Sequence, residues 1–254
     1  MKSVFFLTFV LLSSVFTYSQ NNNNFNDKNP IFNIEMIFVK GGSFIMGCTP
    51  EQGNDCFPDE EPAHEVTVSN FYIAKYEVTQ ELWVAVMGAN PSHFKGAKLP
   101  VENVSWSDVQ EFIRKLNELT GKEYRLPTEA EWEFAASGGK KNTGKKYSGR
   151  NVVNNVAWYT KNSRNKTHAV GLKIPNELGI YDMSGNVWEW CSDWYAGYSS
   201  EPQTNPKGAA KGDYRVIRGG SYNNFAKHVR VTTRGSTLDA RYYNIGFRLA
   251  SNAK

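Results

Sequence analysis

Long stretches of any one kind are missing from this chain. Its 29 basic and 25 acidic residues leave a formal net charge of only +4. No block of like sign is long enough to form a tail for nucleic acid or a membrane surface, so nucleic acid is not expected as a partner. The densest basic patch, Lys140, Lys141, Lys145 and Lys146, lies among Gly, Asn, Thr and Ser and reads as a solvated loop. After Gln20 no apolar run could span a bilayer, so no integral membrane segment is expected in the mature chain. No internal repeat is visible, which argues against a solenoid or propeller. With only three cysteines, a disulfide-dense scaffold is excluded as well.

What is present is a compact globular composition, 40% hydrophobic and 21% charged, in 254 residues, enough for one large domain. The 7 Trp, 13 Tyr and 15 Phe stand beside 21 Gly. Bulky rings with many glycines suit a loop-rich fold, where side chains fill space that regular elements leave open. The N-terminus reads as a secretory signal: Lys2, then an almost wholly apolar stretch from Val4 to Val15, then Thr17, Tyr18 and Ser19 before Gln20. Residues 1–19 are therefore expected to be cleaved, residues 20–33 to form a polar leader, and residues 34–250 to form the domain. No cysteine lies near the cleavage point, so the protein is expected in the periplasm or outside the cell and without a lipid anchor. In that oxidising setting Cys48 and Cys56, in a stretch rich in Gly, Pro and Asp, are expected to form a loop disulfide. Cys191, between tryptophans 190 and 194, is left as a buried thiol.

Periodicity predicts few regular elements. Residues 36–47 read as two short strands joined by a glycine turn. Further strands are expected at 66–68 and 71–78, and a helix from Gln80 to Met87 stopped by Gly88. The clearest helix is 106–120. Ser105 and Asp108 form its capping box, Val109, Phe112, Ile113, Leu116 and Leu119 its apolar face, and Gly121 its stop. A third helix is expected after Thr128, with Glu131 at its third position and Gly138 at its end. This pattern predicts one mixed α+β domain with short antiparallel strands.

Several segments in fixed order carry a family resemblance: Val39-Lys-Gly-Gly-Ser-Phe-Ile-Met-Gly47, Pro62-Ala-His-Glu-Val-Thr-Val68, Tyr76-Glu-Val-Thr79, Pro100-Val-Glu-Asn-Val-Ser-Trp106, Tyr124-Arg-Leu-Pro-Thr-Glu-Ala-Glu-Trp-Glu133, Gly179-Ile-Tyr-Asp-Met-Ser-Gly-Asn-Val-Trp-Glu-Trp190, Arg218-Gly-Gly-Ser-Tyr222 and Asn244-Ile-Gly-Phe-Arg248. Over about residues 34–250 the chain resembles the formylglycine-generating enzyme, or sulfatase-modifying factor, family. The resemblance implies a loop-rich fold akin to a C-type lectin, commonly with calcium. Its calcium ligands would fall on Asp182, Gly185, Val187 and Glu189, an oxygen-rich set suited to a hard cation. The other reading of Glu189 is a pair with an arginine such as Arg218. A weaker second calcium site would fall on Asn155, Val156, Asn162 and Arg164, where Asn162 replaces the usual aspartate. Pro127 and Thr128 set a helix entry, and the Tyr124–Glu133 segment is read as architectural.

The family's oxidase chemistry uses Cu(I) on two cysteines just after the Gly-Gly-Ser segment. Here that stretch reads Gly219-Gly-Ser-Tyr-Asn-Asn-Phe-Ala-Lys-His-Val-Arg230, with Asn224 at the first cysteine position and no cysteine from 192 to 254. An amide cannot replace a thiolate on a soft metal, so copper is not expected. A related branch of the fold uses a three-histidine iron site. The four histidines His64, His93, His168 and His228 show no such spacing, although iron is not thereby excluded. His64 reads as a structural hydrogen-bonder. The substrate groove would be lined by Ser221, Tyr222, Asn224, His228 and Trp188, with Tyr242 and Tyr243 nearby, and could grip an extended peptide, a glycan or an envelope protein. Two functions follow from these residues: an exported, calcium-stabilised binding module without catalysis, or a metal-dependent oxidase or oxygenase with a remodelled site.

Overall fold

A computed structural model describes Met1 and residues 32–253. The expected signal peptide and most of the expected leader lie outside the described residues. Among the described residues the strands fall into three small sheets. The first contains β1 (Met36–Val39), β4 (Phe71–Ala74), β5 (Tyr124–Arg125) and β11 (Ala250–Asn252), in the order β1-β4-β11-β5. The second contains β6 (Trp188–Trp194), β8 (Arg215–Arg218), β9 (Arg234–Thr237) and β10 (Ile245–Gly246), in the order β10-β6-β8-β9. The third joins β2 (Gly42–Met46), β3 (His64–Val68) and β7 (Gln203–Thr204).

The two strands around Lys40 are present but do not pair with each other. β1 runs antiparallel to β4, with Met36 opposite Ala74, while β2 pairs with β3, with Gly42 opposite Val68. Long-range pairing overrides the local hairpin because each strand finds its apolar partners in a different sheet. Gly41 permits the crossing: a Cβ there would meet the Val68 carbonyl oxygen at 2.3 Å. The strand expected over 71–78 stops at Ala74.

The three expected helices form as their caps dictate. α1 (Gln80–Met87) starts where the Thr79 side chain accepts from Leu82 N and ends at Gly88 with φ 83°. α2 (Trp106–Thr120) has the reciprocal Ser105–Asp108 box and Gly121 in the left-handed region. α3 (Glu129–Ala136) has the same box from Thr128 and Glu131. A single turn, α4 (Val153–Val156), was not expected. The face of α2 buries Val109, Phe112, Ile113 and Leu116, while Leu119 stays half-buried at its end. Phe112 stacks on Trp83 of α1 with ring centres 5.1 Å apart and meets Phe247 edge-on. A second apolar cluster surrounds Trp132 and Phe134 of α3, with Val66, Val216 and Cys191.

Cys48 and Cys56 are bonded, their Cα atoms 5.8 Å apart, and Cys191 is free and buried. The loop they close holds Gln52 against the interior, and the chain-entropy estimate for a loop this short is about 2–3 kcal/mol. Thiol labelling of the unreduced, denatured protein is expected to modify one cysteine of three; labelling of all three would reject the bridge.

Candidate functional site

The segment after β8 turns sharply at Gly219 and Gly220, with φ of 93° and 71°. Gly220 has no room for a side chain, because a Cβ would lie 2.5 Å from the His228 carbonyl oxygen. The turn delivers Ser221, fully buried, to a small polar knot. Asn224 Oδ1 accepts from the Ser221 amide at 3.0 Å and lies 2.7 Å from the Ser221 hydroxyl. The Asn224 amide in turn donates to Ser221 O, and Thr160 N donates to Asn224 O. The Asn244 side-chain amide reaches both Ser221 Oγ and Asn223 Oδ1 at 3.3 Å. Asn224 therefore closes a local turn with the oxygen it could have offered elsewhere.

Around this knot the rim is aromatic. Tyr222 meets Phe94 edge-on at 5.4 Å, and His93 stacks on exposed Tyr243 at 4.7 Å. Of the residues expected to share a groove, Ser221, Tyr222 and Asn224 come together with Asn223, joined by the unforeseen Asn244, His93 and Phe94. Trp188 does not join them: its ring belongs to the apolar core and only its backbone amide reaches the loop, donating to Asn244 O. His228 also lies apart. It ends the short Ala226–His228 turn and packs on Phe57, ring centres 5.2 Å apart, with Nδ1 buried and unpartnered. Burial, aided by the Lys227 charge, lowers its pKa.

The thiol chemistry at this face does not fit copper. Cys48 and Cys56 are bonded to each other, and Cys191 sits in the core, where burial raises its pKa well above the ordinary thiol value. Soft thiolate donors are thus absent from the Ser221–Asn224 turn.

The oxygen donors expected for calcium lie elsewhere, on the 182–189 turn entering β6. Gly185 has φ 83°, and a Cβ there would collide with the Trp158 carbonyl oxygen at 2.2 Å. Asp182 adopts φ 58°, accepts from Gly171 N at 2.7 Å through Oδ2, and has a buried Oδ1 without a partner. Burial, reinforced by the Glu189 charge, pushes Asp182 up to about 6. Glu77, buried on the same cluster, is raised well above the ordinary carboxylate value, by burial first and then by the charges of Asp182 and Glu189. It holds Val187 N and the Asn186 amide. Glu189, expected as a second side-chain ligand, is committed instead: Arg248 forks both its oxygens at 2.6 Å, and Trp132 Nε1 donates at 2.7 Å. The pair is thus with Arg248 and not with Arg218. Three buried carboxylates face one guanidinium, a charge excess that suits a cation. The fit lies at the open oxygen of Asp182, not at Glu189. Among the described residues no three His, Cys, Asp or Glu side chains converge as a metal cage.

The weaker second set has no comparable donor. The Asn162 side chain accepts from Tyr159 N and donates to Ala157 O. The Asn155 carbonyl accepts from Ile174 N, and Arg164 is exposed. No carboxylate joins this set, so the charged oxygen that calcium favours is missing.

Sequence reading missed a set of buried ion pairs. Arg218 binds Glu133, Arg230 binds Glu60, Arg234 binds Glu129 at 2.7 Å, and Arg248 binds Glu189 at 2.6 Å. Two of these glutamates come from the α3 segment, so its architectural role includes anchoring the C-terminal arginines. A local motif cannot reveal such a pair, since its partners lie 59 to 170 residues apart. His64 is buried, packs on Tyr198, and lies 3.1 Å from Pro62 O, as expected of a structural histidine.

Residues 22–253 match the family of the sulfatase-modifying factor enzyme 1-like domain. Over 238 residues the chain is 37% identical to a Paenibacillus barcinonensis protein named chaperone protein LppX, covering 74% of this chain and 78% of that one. It is 36% identical over 199 residues to the formylglycine-generating enzyme of Streptomyces coelicolor, covering 67% of this chain and 61% of that enzyme. Among solved structures, Treponema denticola variable protein 1 superposes with a TM-score of 0.77 at 36% identity, covering 86% of this chain and 95% of that one.

Proposed function

We propose that this chain, which belongs to the sulfatase-modifying factor enzyme 1-like family, is an exported binding module that keeps the family fold without its copper oxidase chemistry. The observation that carries this reading is the Asn224–Ser221 knot. The position that would supply the first thiolate holds an amide, and its oxygen is bound into the turn. The face around it suits recognition: aromatic rings supply area at low entropy cost, and exposed amides supply adaptable hydrogen bonds. A relative named as a chaperone is consistent with a family member that acts by holding another protein. An extended peptide of an envelope protein is the ligand class this reading favours. Export to the periplasm or cell exterior follows from the Lys2–Gln20 signal pattern.

Calcium belongs to the same proposal. Asp182 Oδ1 would hold it, with the Gly185 and Val187 carbonyls at the family's other ligand positions. When bound, calcium would neutralise the acid excess around Glu77, Asp182 and Glu189. A ligand that binds only the folded state stabilises it by mass action. A chelator is therefore expected to lower the melting temperature, and Asp182→Ala to remove that sensitivity. Identical melting curves with and without chelator, in protein shown to carry calcium, would count against the site.

The second reading, an oxidase or oxygenase with a remodelled site, draws on the unpartnered Nδ1 of His228. Metal analysis of protein purified without added metals separates the two. Calcium alone supports the module; stoichiometric copper or iron lost in His228→Ala supports the enzyme.

A further inference from the structure

A cavity of about 700 Å³ opens where α2 begins, between the Asn70 and Asn252 ends of β4 and β11 and the loop after β7. That volume lies within the usual range for small-ligand pockets, about 300–1,000 Å³. None of the residues of the Ser221–Asn224 face lines it. One wall includes Trp106, whose ring packs on the first apolar cluster and is held by its neighbours. The Arg215 guanidinium covers the ring at 3.7 Å, is itself covered by Trp194 at 3.4 Å, and donates to Ser192 O at 2.8 Å. Trp106 Nε1 donates to Cys191 O at 2.9 Å. The indole is thus a fixed platform, with little rotamer freedom left to lose on binding.

The polar lining is built to meet hydroxyl and acid groups. Arg125 and Glu131 neutralise each other through a two-point pair at 2.6 and 2.7 Å. Lys207 lines the same cavity and is exposed, so the cavity keeps one positive charge beyond that pair. Half-buried Gln110 adds an amide that both donates and accepts. An aromatic plane, a two-way amide and one ammonium match a pyranose with an apolar C–H face, several hydroxyls and a carboxylate.

We propose that this cavity is a second binding site, specific for an acidic oligosaccharide that contains uronic acid, and separate from the Ser221–Asn224 face. The sugar ring lies on Trp106, Gln110 reads its hydroxyls, and Lys207 takes its carboxylate. The site goes beyond the peptide-binding reading and stands or falls independently of it.

The test is calorimetric titration of the full mature chain with trigalacturonate, with maltotriose as the neutral counterpart and an acidic hexapeptide as the peptide counterpart. Trigalacturonate is expected to bind saturably, about tenfold more tightly than maltotriose. Lys207→Gln, an exposed change, is expected to erase that preference without moving the melting temperature. Trp106→Phe is expected to weaken both sugars about tenfold. Tyr243→Ala, on the other face, is expected to change neither affinity. Absence of saturation at millimolar sugar would overturn the proposal. So would an unaltered charge preference in Lys207→Gln, loss of binding in Tyr243→Ala, or tighter binding of the acidic peptide than of the sugar.

Discussion

Replacing Arg230 by methionine is expected to lower the free energy of unfolding by about 3–5 kcal/mol, as is usual when one partner of a buried ion pair is removed. Arg230 and Glu60 are both fully enclosed. The carboxylate also accepts from Thr232 Oγ1 at 2.6 Å and from Phe57 N at 3.1 Å, and the guanidinium reaches Gln52 at 3.1 Å. Removing the arginine leaves a charge in a place without water, and its desolvation is then uncompensated. The double variant Arg230→Met with Glu60→Leu is expected to recover much of the loss, because it leaves no orphan charge. Arg241→Met is the contrast. It breaks an Arg241–Asp108 pair of good geometry, 2.7 Å, but the arginine side chain is 60% exposed. Solvent screening should keep that change within about 1 kcal/mol. Urea unfolding followed by circular dichroism measures all three. A loss below about 1 kcal/mol for Arg230→Met would mean that water reaches Glu60.

The contrast between the two arginines also explains how far the sequence could be read. Helix ends were legible because caps are local: Ser105 with Asp108 and Thr128 with Glu131 act over three residues, and the boxes form where they stand. The loop disulfide was legible because compartment and short spacing restrict the choice. The pairing of β1 and β2 was not, since each has a distant partner and the intervening Gly41 fits a turn and a crossing equally well. Arg218, Arg230, Arg234 and Arg248 carry no local sign of burial, because an arginine joins the core only when a distant carboxylate meets it. The site was legible in its chemistry more than in its geometry. The missing cysteines could be seen directly. That Trp188 turns into the core and His228 onto Phe57 depends on the path of the chain beyond Gly220. Of the two expectations for Glu189, metal ligand or arginine pair, the side chain makes the pair, and its partner is the distant Arg248 rather than Arg218.

Incubation of the pure protein with Cu(I), oxygen and a peptide carrying Cys-x-Pro-x-Arg is expected to give no thiol-to-aldehyde mass loss above a metal-only blank. The expectation follows from the donors at the Ser221–Asn224 turn. A soft cation held for redox work needs soft ligands, and a pair of thiolates holds it far better than one. This turn presents an amide oxygen already bound to Ser221, and the nearest chemistry on the aromatic rim is hydroxyl, amide and imidazole. The one free thiol, Cys191, is buried among apolar side chains, with a pKa raised well above that of an exposed cysteine, so it is neither ionised nor in reach. Asn224→Cys is expected to stay inactive. A lone thiolate gives half a clamp, and the change also removes the oxygen that ties down the Ser221 amide, loosening the turn that would have to present it. Binding should separate from turnover. The same peptide with serine in place of cysteine is expected to bind the native chain as well as the cysteine peptide does, because the face that recognises it has no thiol to engage. Turnover by the native chain would sink the idea outright and make His228 the first residue to replace. Tenfold tighter binding of the cysteine peptide in the presence of Cu(I) would sink it too, since a ternary copper–thiol contact would then exist at a face that offers no thiolate of its own.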